Sequence, residues 1–574
     1  MTGLAPDAGA VRGMAGADGA AGGTEPTHPP HPQPLSQGER GADLHTSSLP
    51  ASGARWGNVV PKAVLRATWL LGALVLWEAL SRLPGAAFLI AGPVQVTSWL
   101  GANAGLVTRA MAVTLKAAAL GFIAGNLAAV VLALVSLALP RLERFIGALA
   151  LLVFCLPLVA TGPILRVLYG PGMGPQITVA ALAVCFTTYL SLMVGLRAAP
   201  ASWFELVRSY GRGRLAELSV VRCRAAVPYL IAGLQIAAPA AVLGALVGEF
   251  TGADRGLGVL TLRAMRGLDL PATTALATVA AGVSILAYAA LGALGRWLSV
   301  APAPTLLAAV PDHTPPRWHG PLRWLVTGIA VLLLWQGLMD AFDLNAFFAK
   351  RPGDVWQFLM TVPEAALNRA TLLQAFGQTM ILTVPGYLAG LILGAGMAAA
   401  VVLRPGLAAA LLPAAIALRS VPIVTTAPLI VLALGRGATG TVTIVAVMIF
   451  FPTLVACLNG LRQTPAQVED VFATYSATRW QRLVHAQVPA MLPSFFASAR
   501  MAVPAAILAA TTTEWLATGI GMGSLMALTA STSAYGMLWS AVAALSLTAA
   551  LGYVAVEAVE RAVLRIYGPE QLAR

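Results

Sequence analysis

From about residue 63 onward the chain alternates long apolar runs with short polar stretches rich in arginine. A helix needs roughly 20 mostly apolar residues to cross a bilayer. On that criterion the sequence predicts spans at about 63–80, 113–139, 145–168, 176–197, 226–249 and 272–297. A second set follows at about 322–341, 376–403, 408–434, 440–461, 491–516 and 535–558. The expected fold class is therefore all-α and polytopic, with about twelve transmembrane helices in a lipid bilayer. Residues 1–58 are different material, rich in Gly, Ala, Pro, Ser and Thr, and read as a disordered tail. The first apolar run starts too far in for a secretory signal peptide and reads as a retained anchor. His28 and His31 flank two prolines and form at most a weak metal site; no metal site is expected.

The polar positions set the orientation. Arg55 and Lys62 precede the first span and Arg66 stands in its first turn, and Arg141 and Arg144 follow the second. Arg208, Arg212, Arg214, Arg222 and Arg224 lie between the fourth and fifth, Arg317 lies between the sixth and seventh, and Arg323 stands at the start of the seventh. With the N-terminus inside, all of these are cytoplasmic, as the positive-inside tendency requires. Both termini are then cytoplasmic. Arg255, Arg263 and Arg266 dissent on the other side, accompanied by Asp254 and Asp269.

The two sets of spans repeat at one offset. Thr114, Gly121 and Gly125 return as Thr379, Gly386 and Gly390; Pro157 and Pro163 return as Pro422 and Pro428. Gly195-Leu196-Arg197 returns as Gly460-Leu461-Arg462, Pro228 as Pro493, Glu249 as Glu514, and Gly256 and Gly258 as Gly521 and Gly523. The offset is 379 − 114 = 265 and again 523 − 258 = 265. Upstream, Pro93 pairs better with Pro352, which implies a short insertion near 361–373. Chance matches among abundant glycines would not bring Pro, Arg, Glu and Gly into one register. Six spans per unit is an even number, so the units are parallel repeats about an axis along the membrane normal. The expected organisation is a tail over 1–58, a first unit over 59–300, a cytoplasmic linker over 301–321 and a second unit over 322–574.

Composition agrees with a lipid solvent: 58% of the 574 residues are hydrophobic, only 10% are charged, and the mean hydropathy is +0.79. Soluble chains carry roughly a quarter charged residues. The net charge of +13 does not indicate nucleic acid, because the basic residues sit in short loops rather than in runs interleaved with aromatics. The four cysteines match no metal or disulfide spacing and read as small apolar fillers. None of the three lysines, Lys62, Lys116 and Lys350, stands in a phosphate-binding loop, so ATP hydrolysis is not expected on this chain. None of the six histidines lies inside an expected span, which argues against a metal-dependent intramembrane hydrolase.

Each unit carries one long cytoplasmic segment between its fourth and fifth spans. The first runs from Glu205 through Tyr210-Gly211 and Arg214 to Pro228; the second from Glu469-Asp470 through Tyr475-Ser476 and Arg479 to Pro489 and Pro493. Gly211 predicts a short helix ended in a backbone shape that a side chain penalises, whereas Ser476 predicts an ordinary conformation there. These segments resemble the coupling loop, Glu-Ala-Ala followed by Gly, of binding-protein-dependent ABC importer permeases, in particular the nitrate, sulfonate, taurine and pyrimidine-precursor branch. Glu249-Phe250 with Gly256-Leu257-Gly258 matches a second feature of that branch, and Glu514-Trp515 with Gly521-Met522-Gly523 matches it less fully. Asp470, Ser476 and Arg224 depart from the pattern, which makes the two loops unequal.

The resemblance covers about 60–300 and 320–565 and implies two permease units fused in one chain. It implies a bacterial inner-membrane subunit, not an enzyme, that binds no cofactor and forms the solute pathway. The implied partners are two ATP-hydrolysing ABC subunits, docked at the coupling loops, and a periplasmic or lipid-anchored solute-binding protein. The implied solute is a small anion such as nitrate, a sulfonate or taurine, or a pyrimidine precursor. Glu249, Glu514 and Arg500 are candidate pathway residues. The two glutamates serve equally as carboxylates reaching interfacial water, and Arg500 is expected to snorkel to the inner surface rather than hold an anion. A twelve-helix secondary transporter is the alternative; it needs ionisable groups deep in the spans, for which the first unit offers Lys116 and Arg166.

Overall fold

The computed structural model describes residues 71–298 and 320–567, apart from 73, 80, 83–90, 171, 405, 408–429, 431–433 and 436. The expected tail, nearly all of the linker, and most of the spans near 63–80 and 408–434 lie outside the described residues. What is described is helical, with no strand. The first half runs α1 (Pro93–Ala102), α2 (Ala104–Ala138), α3 (Glu143–Cys155), α4 (Leu158–Tyr169), α5 (Gly174–Arg197), α6 (Ala201–Ser209), α7 (Arg214–Phe250), α8 (Leu257–Arg266) and α9 (Leu270–Trp297). The second half runs α10 (Gly320–Ala341), α11 (Pro352–Met360), α12 (Ala365–Leu403), α13 (Ala438–Leu461), α14 (Ala466–Thr474), α15 (Arg479–Thr518), α16 (Gly521–Ser531) and α17 (Tyr535–Tyr567). Among the described residues, eight helices are long and apolar enough to cross a membrane: α2, α5, α7, α9, α12, α13, α15 and α17. The chain is an all-α polytopic membrane protein.

One expected span is corrected. The apolar run at 145–168 is not a single helix but two, α3 and α4, separated at Leu156 and Pro157. Leu156 has ψ 130° and Pro157 ψ 98°, both extended. Proline lacks an N–H and bars its predecessor from helical geometry. With 13 residues, α3 is about 20 Å long, short of the roughly 30 Å hydrocarbon core.

Each half is organised around one central helix. In the first, α5 packs against α7 and α2; in the second, α13 packs against α15 and α12. Lipid tails are as apolar as leucine, so close backbone approach rather than water exclusion holds such helices together. Gly125 shows the device: a Cβ there would lie 2.4 Å from the Ala181 carbonyl oxygen and from Val184 Cγ2. Its repeat mate Gly390 meets Ala446 O and Ile449 Cβ at 2.8 Å, the same two neighbours 265 positions on. The halves also pack on each other, α3 against α17 and α4 against α16, with Cys155 and Ile164 sharing one buried cluster with Ile507, Met522 and Leu538. All four cysteines are free.

Candidate functional site

The first polar segment folds as the short helix α6, whose side chains Trp203, Glu205, Leu206 and Tyr210 are all exposed. Its end follows a specific hydrogen-bond pattern. Gly211 N donates to Arg208 O at 2.8 Å and Arg212 N to Val207 O at 3.2 Å, the paired bonds of a Schellman cap. That cap needs a left-handed residue, and Gly211 supplies it with φ 68°. Beyond the turn, the Arg208 guanidinium is 2.7 Å from the Glu217 carboxylate, which ties α6 back onto the start of α7.

The second segment repeats this geometry. In α14, Ser476 N donates to Ala473 O at 3.0 Å and Ala477 N to Phe472 O at 2.9 Å. Here the expectation for Ser476 is corrected: its φ is 50°, so it occupies the same left-handed conformation as Gly211 rather than an ordinary one. The cap imposes the shape whatever residue stands there, and a side chain in it costs roughly 1–2 kcal/mol. The loops therefore differ in local strain, not in backbone form. Asp470, Tyr475, Arg479 and Trp480 are exposed, at the repeat positions of Glu205, Tyr210, Arg214 and Leu215.

Beyond each turn the chain enters its span as one continuous helix, Arg214–Phe250 or Arg479–Thr518. A π-helical stretch follows in each, Glu217–Arg222 and Leu483–Gln487. Pro228 and Pro493 lie inside the subsequent α-helical parts, and Pro489 occupies the first turn after the second π stretch. Extra-residue bulges of this kind cluster at functional positions. The 37 residues of α7 measure about 55 Å, so its arginine-rich first turns project well past a roughly 30 Å hydrocarbon layer.

At the far end of the same two helices lie the candidate carboxylates. Glu249 is 1% exposed and Glu514 0%. Thr114 Oγ1 donates to Glu249 Oε1 at 2.7 Å and accepts from Leu257 N at 2.9 Å, while Gly258 N donates to Glu249 Oε2 at 2.6 Å. In the second half Thr379 Oγ1 and Gly523 N donate to Glu514 Oε2 at 2.9 and 2.8 Å, and Met522 N donates to Thr379 Oγ1 at 2.9 Å. Each carboxylate thus sits on the first turn of a short helix, α8 or α16, whose N–H groups have no intrahelical partner. Neither glutamate reaches interfacial water; each fastens the end of a long helix to the short helix that follows. The glycines make room: a Cβ on Gly256, which has φ 139°, would fall 2.2 Å from Glu249 Cδ, and one on Gly521, with φ 82°, 2.4 Å from Glu514 Cδ. Thr114 and Thr379 are the partners that sequence reasoning missed, although both stood in the repeat register.

Arg500 does not snorkel. It is 7% exposed and pairs with Glu560 of α17 at 3.0 Å, with its guanidinium 5.7 Å from the Tyr553 ring centroid. Its mate in the first half is Gln235, which packs onto α9 at Gly292.

The description of the family model that matches twice, at residues 121–301 and 390–565, is binding-protein-dependent transport system inner membrane component. A probable ABC transporter permease protein of Haemophilus influenzae is 30% identical over 35% of this chain and 80% of its own length. Formylaminopyrimidine transport permease protein ThiX of Halalkalibacterium halodurans is 28% identical over 39% of this chain and 90% of its own. Riboflavin transport system permease protein RibX of Chloroflexus aurantiacus is 30% identical over 40% and 87%. Each relative thus matches less than half of this chain with most of its own length, as a single permease unit does. No solved structure matches. Two matched units in one chain, each with an exposed capped helix leading into a long span, identify this protein as a member of the binding-protein-dependent ABC transporter permease family, with two permease domains fused.

Proposed function

We propose that this chain supplies both membrane halves of an importer, units 59–300 and 322–574 joined by a linker at 301–321, and that α6 and α14 each dock one separate ATPase subunit on the cytoplasmic side. The observation that carries this reading is the duplication of an exposed apolar-basic surface on an identical cap. Tyr210 with Arg214 and Tyr475 with Arg479 stand beside the same left-handed turn. A short helix with exposed apolar and charged side chains suits a groove on a partner. Glu205 and Asp470 supply the acidic position of each surface, and Pro228, Pro489 and Pro493 stiffen the junctions to the spans.

ATP is bound and hydrolysed by those partners, and this chain needs no cofactor. Closure of the ATPases pushes on α6 and α14, and the long helices α7 and α15 carry the displacement across the membrane as rigid bodies. Both termini and the linker are cytoplasmic, and the membrane is a bacterial inner membrane with a solute-binding protein on its outer side. The solute is a small polar organic molecule of the pyrimidine-precursor or sulfonate kind, supported by the names of the relatives, one of which is a putative aliphatic sulfonates permease of Bacillus subtilis. The secondary-transporter alternative leaves the duplicated caps without a role.

The test is copurification of the ATPase with chain variants from membranes. A Cβ at Gly211 would meet no atom within 4 Å, so Gly211→Val charges only the backbone, by roughly 1–2 kcal/mol. Docking at the first loop should weaken by about tenfold, since 1.4 kcal/mol is a factor of ten. Ser476→Gly relieves the same strain and should tighten the second loop. Wild-type retention by Gly211→Val would show that the first loop is not a docking surface.

A further inference from the structure

In two parallel halves related by an axis, a residue meets its own repeat mate only on that axis. A pathway between the halves runs along the same line. Phe250 and Trp515 are mates, 515 − 250 = 265. Their rings meet edge to face, with centroids 6.2 Å apart and planes at 78°. The ring pairs Phe154–Phe186, Trp335–Trp539, Phe347–Tyr535 and Phe495–Phe496 each lie within one half, whereas this one joins the two. Phe250 is 4% exposed. Leu508, Trp515 and Leu516 of α15 pack into the buried cluster of the first half that holds Phe250, Leu246 and Leu257. Trp515 and Leu516 lie in a short π-helical stretch, Glu514–Thr518, that ends α15.

We propose that Phe250 and Trp515 seal the solute pathway at the end remote from α6 and α14, and that Glu249 and Glu514 are positioning residues for that seal. Each aromatic follows its glutamate directly in sequence. Each glutamate is bound to Thr114 on α2 or Thr379 on α12, and to Gly258 or Gly523 on the short helix. The backbone that carries each ring cannot shift without carrying or breaking those bonds. A paired apolar constriction excludes water and ions until it parts. The seal stands at one end of the helix whose other end leads from the docking segment, so a tilt of α7 or α15 acts directly on it.

This inference rests on the permease reading but not on ATPase docking, and its test uses the full chain alone in liposomes. Passive nitrate leak is measured from vesicles loaded with potassium nitrate, without nucleotide. Phe250→Gly with Trp515→Gly should raise leak by about tenfold or more, each factor of ten standing for roughly 1.36 kcal/mol of barrier. Thr114→Val with Thr379→Val, which keeps shape but removes the donors, should raise leak less, and Thr→Ser at both should restore tightness. A second measurement covers poor folding: Phe250→Cys/Trp515→Cys in a chain with its four native cysteines changed to serine should be joined by a short bis-methanethiosulfonate. Vesicles of the double glycine variant as tight as wild type, or no cross-link between the paired cysteines, would overturn the seal. Leak unchanged in the threonine variants would remove the positioning role. A docking failure alone would change copurification and leave all of these readings intact.

Discussion

Gly256→Val is expected to abolish uptake and to lower the thermal stability of the detergent-solubilised chain. Two costs combine. The backbone at Gly256, φ 139° and ψ 168°, belongs to a region that is essentially glycine's alone, which costs roughly 1–3 kcal/mol for another residue. The new Cβ would also fall 2.2 Å from Glu249 Cδ and within 2.4 Å of both its carboxylate oxygens. Glu249 must then leave Thr114 and Gly258, and each buried group left unpaired costs about 1–3 kcal/mol. A total near 4 kcal/mol is a large part of what holds a domain together. Gly282→Ala is the control, because a Cβ there meets nothing within 4 Å, and it should behave as wild type. Gly256→Val with native stability and uptake would show that the carboxylate does not depend on that contact.

Arg500→Ala should be the second most damaging substitution, and for an electrostatic reason. Arg500 and Glu560 have side chains 8% and 6% exposed, so removing one leaves the other charge buried without its partner. Breaking such a pair costs roughly 3–5 kcal/mol, whereas replacing both members with apolar residues is often neutral. The double variant Arg500→Met/Glu560→Leu should therefore recover most of the melting temperature that Arg500→Ala loses. The first half already works without the pair, having Gln235 and Gly295 at these positions. Equal destabilisation by the single and double variants would mean that packing, not charge, is what matters there.

Much of this architecture was legible in the sequence, because length and hydropathy alone decide which segments suit a bilayer. The repeat register was equally plain, and α7 and α15 fall where it placed them. The split at Pro157 was not, since proline within an apolar run is often tolerated in membrane helices. Ser476 was misread because residue type suggested an ordinary conformation, while the cap hydrogen bonds impose the left-handed one. Thr114 and Thr379 lie 135 residues from the glutamates they bind, so only tertiary structure reveals the bond. Glu560 stands in sequence between Glu557 and Arg561, and nothing in that setting points to its neighbour in space, Arg500.

The central claim is that one chain presents two docking surfaces to two ATPase subunits. Cysteine cross-linking tests it most directly. Tyr210→Cys and Tyr475→Cys are placed singly and together in a chain whose Cys155, Cys185, Cys223 and Cys457 are serine, in membranes that also hold the ATPase. Each single variant should cross-link to one ATPase subunit, and the double variant should give a species carrying two. Absence of any cross-link from either position, in a chain that still supports ATP-dependent uptake, would contradict the account.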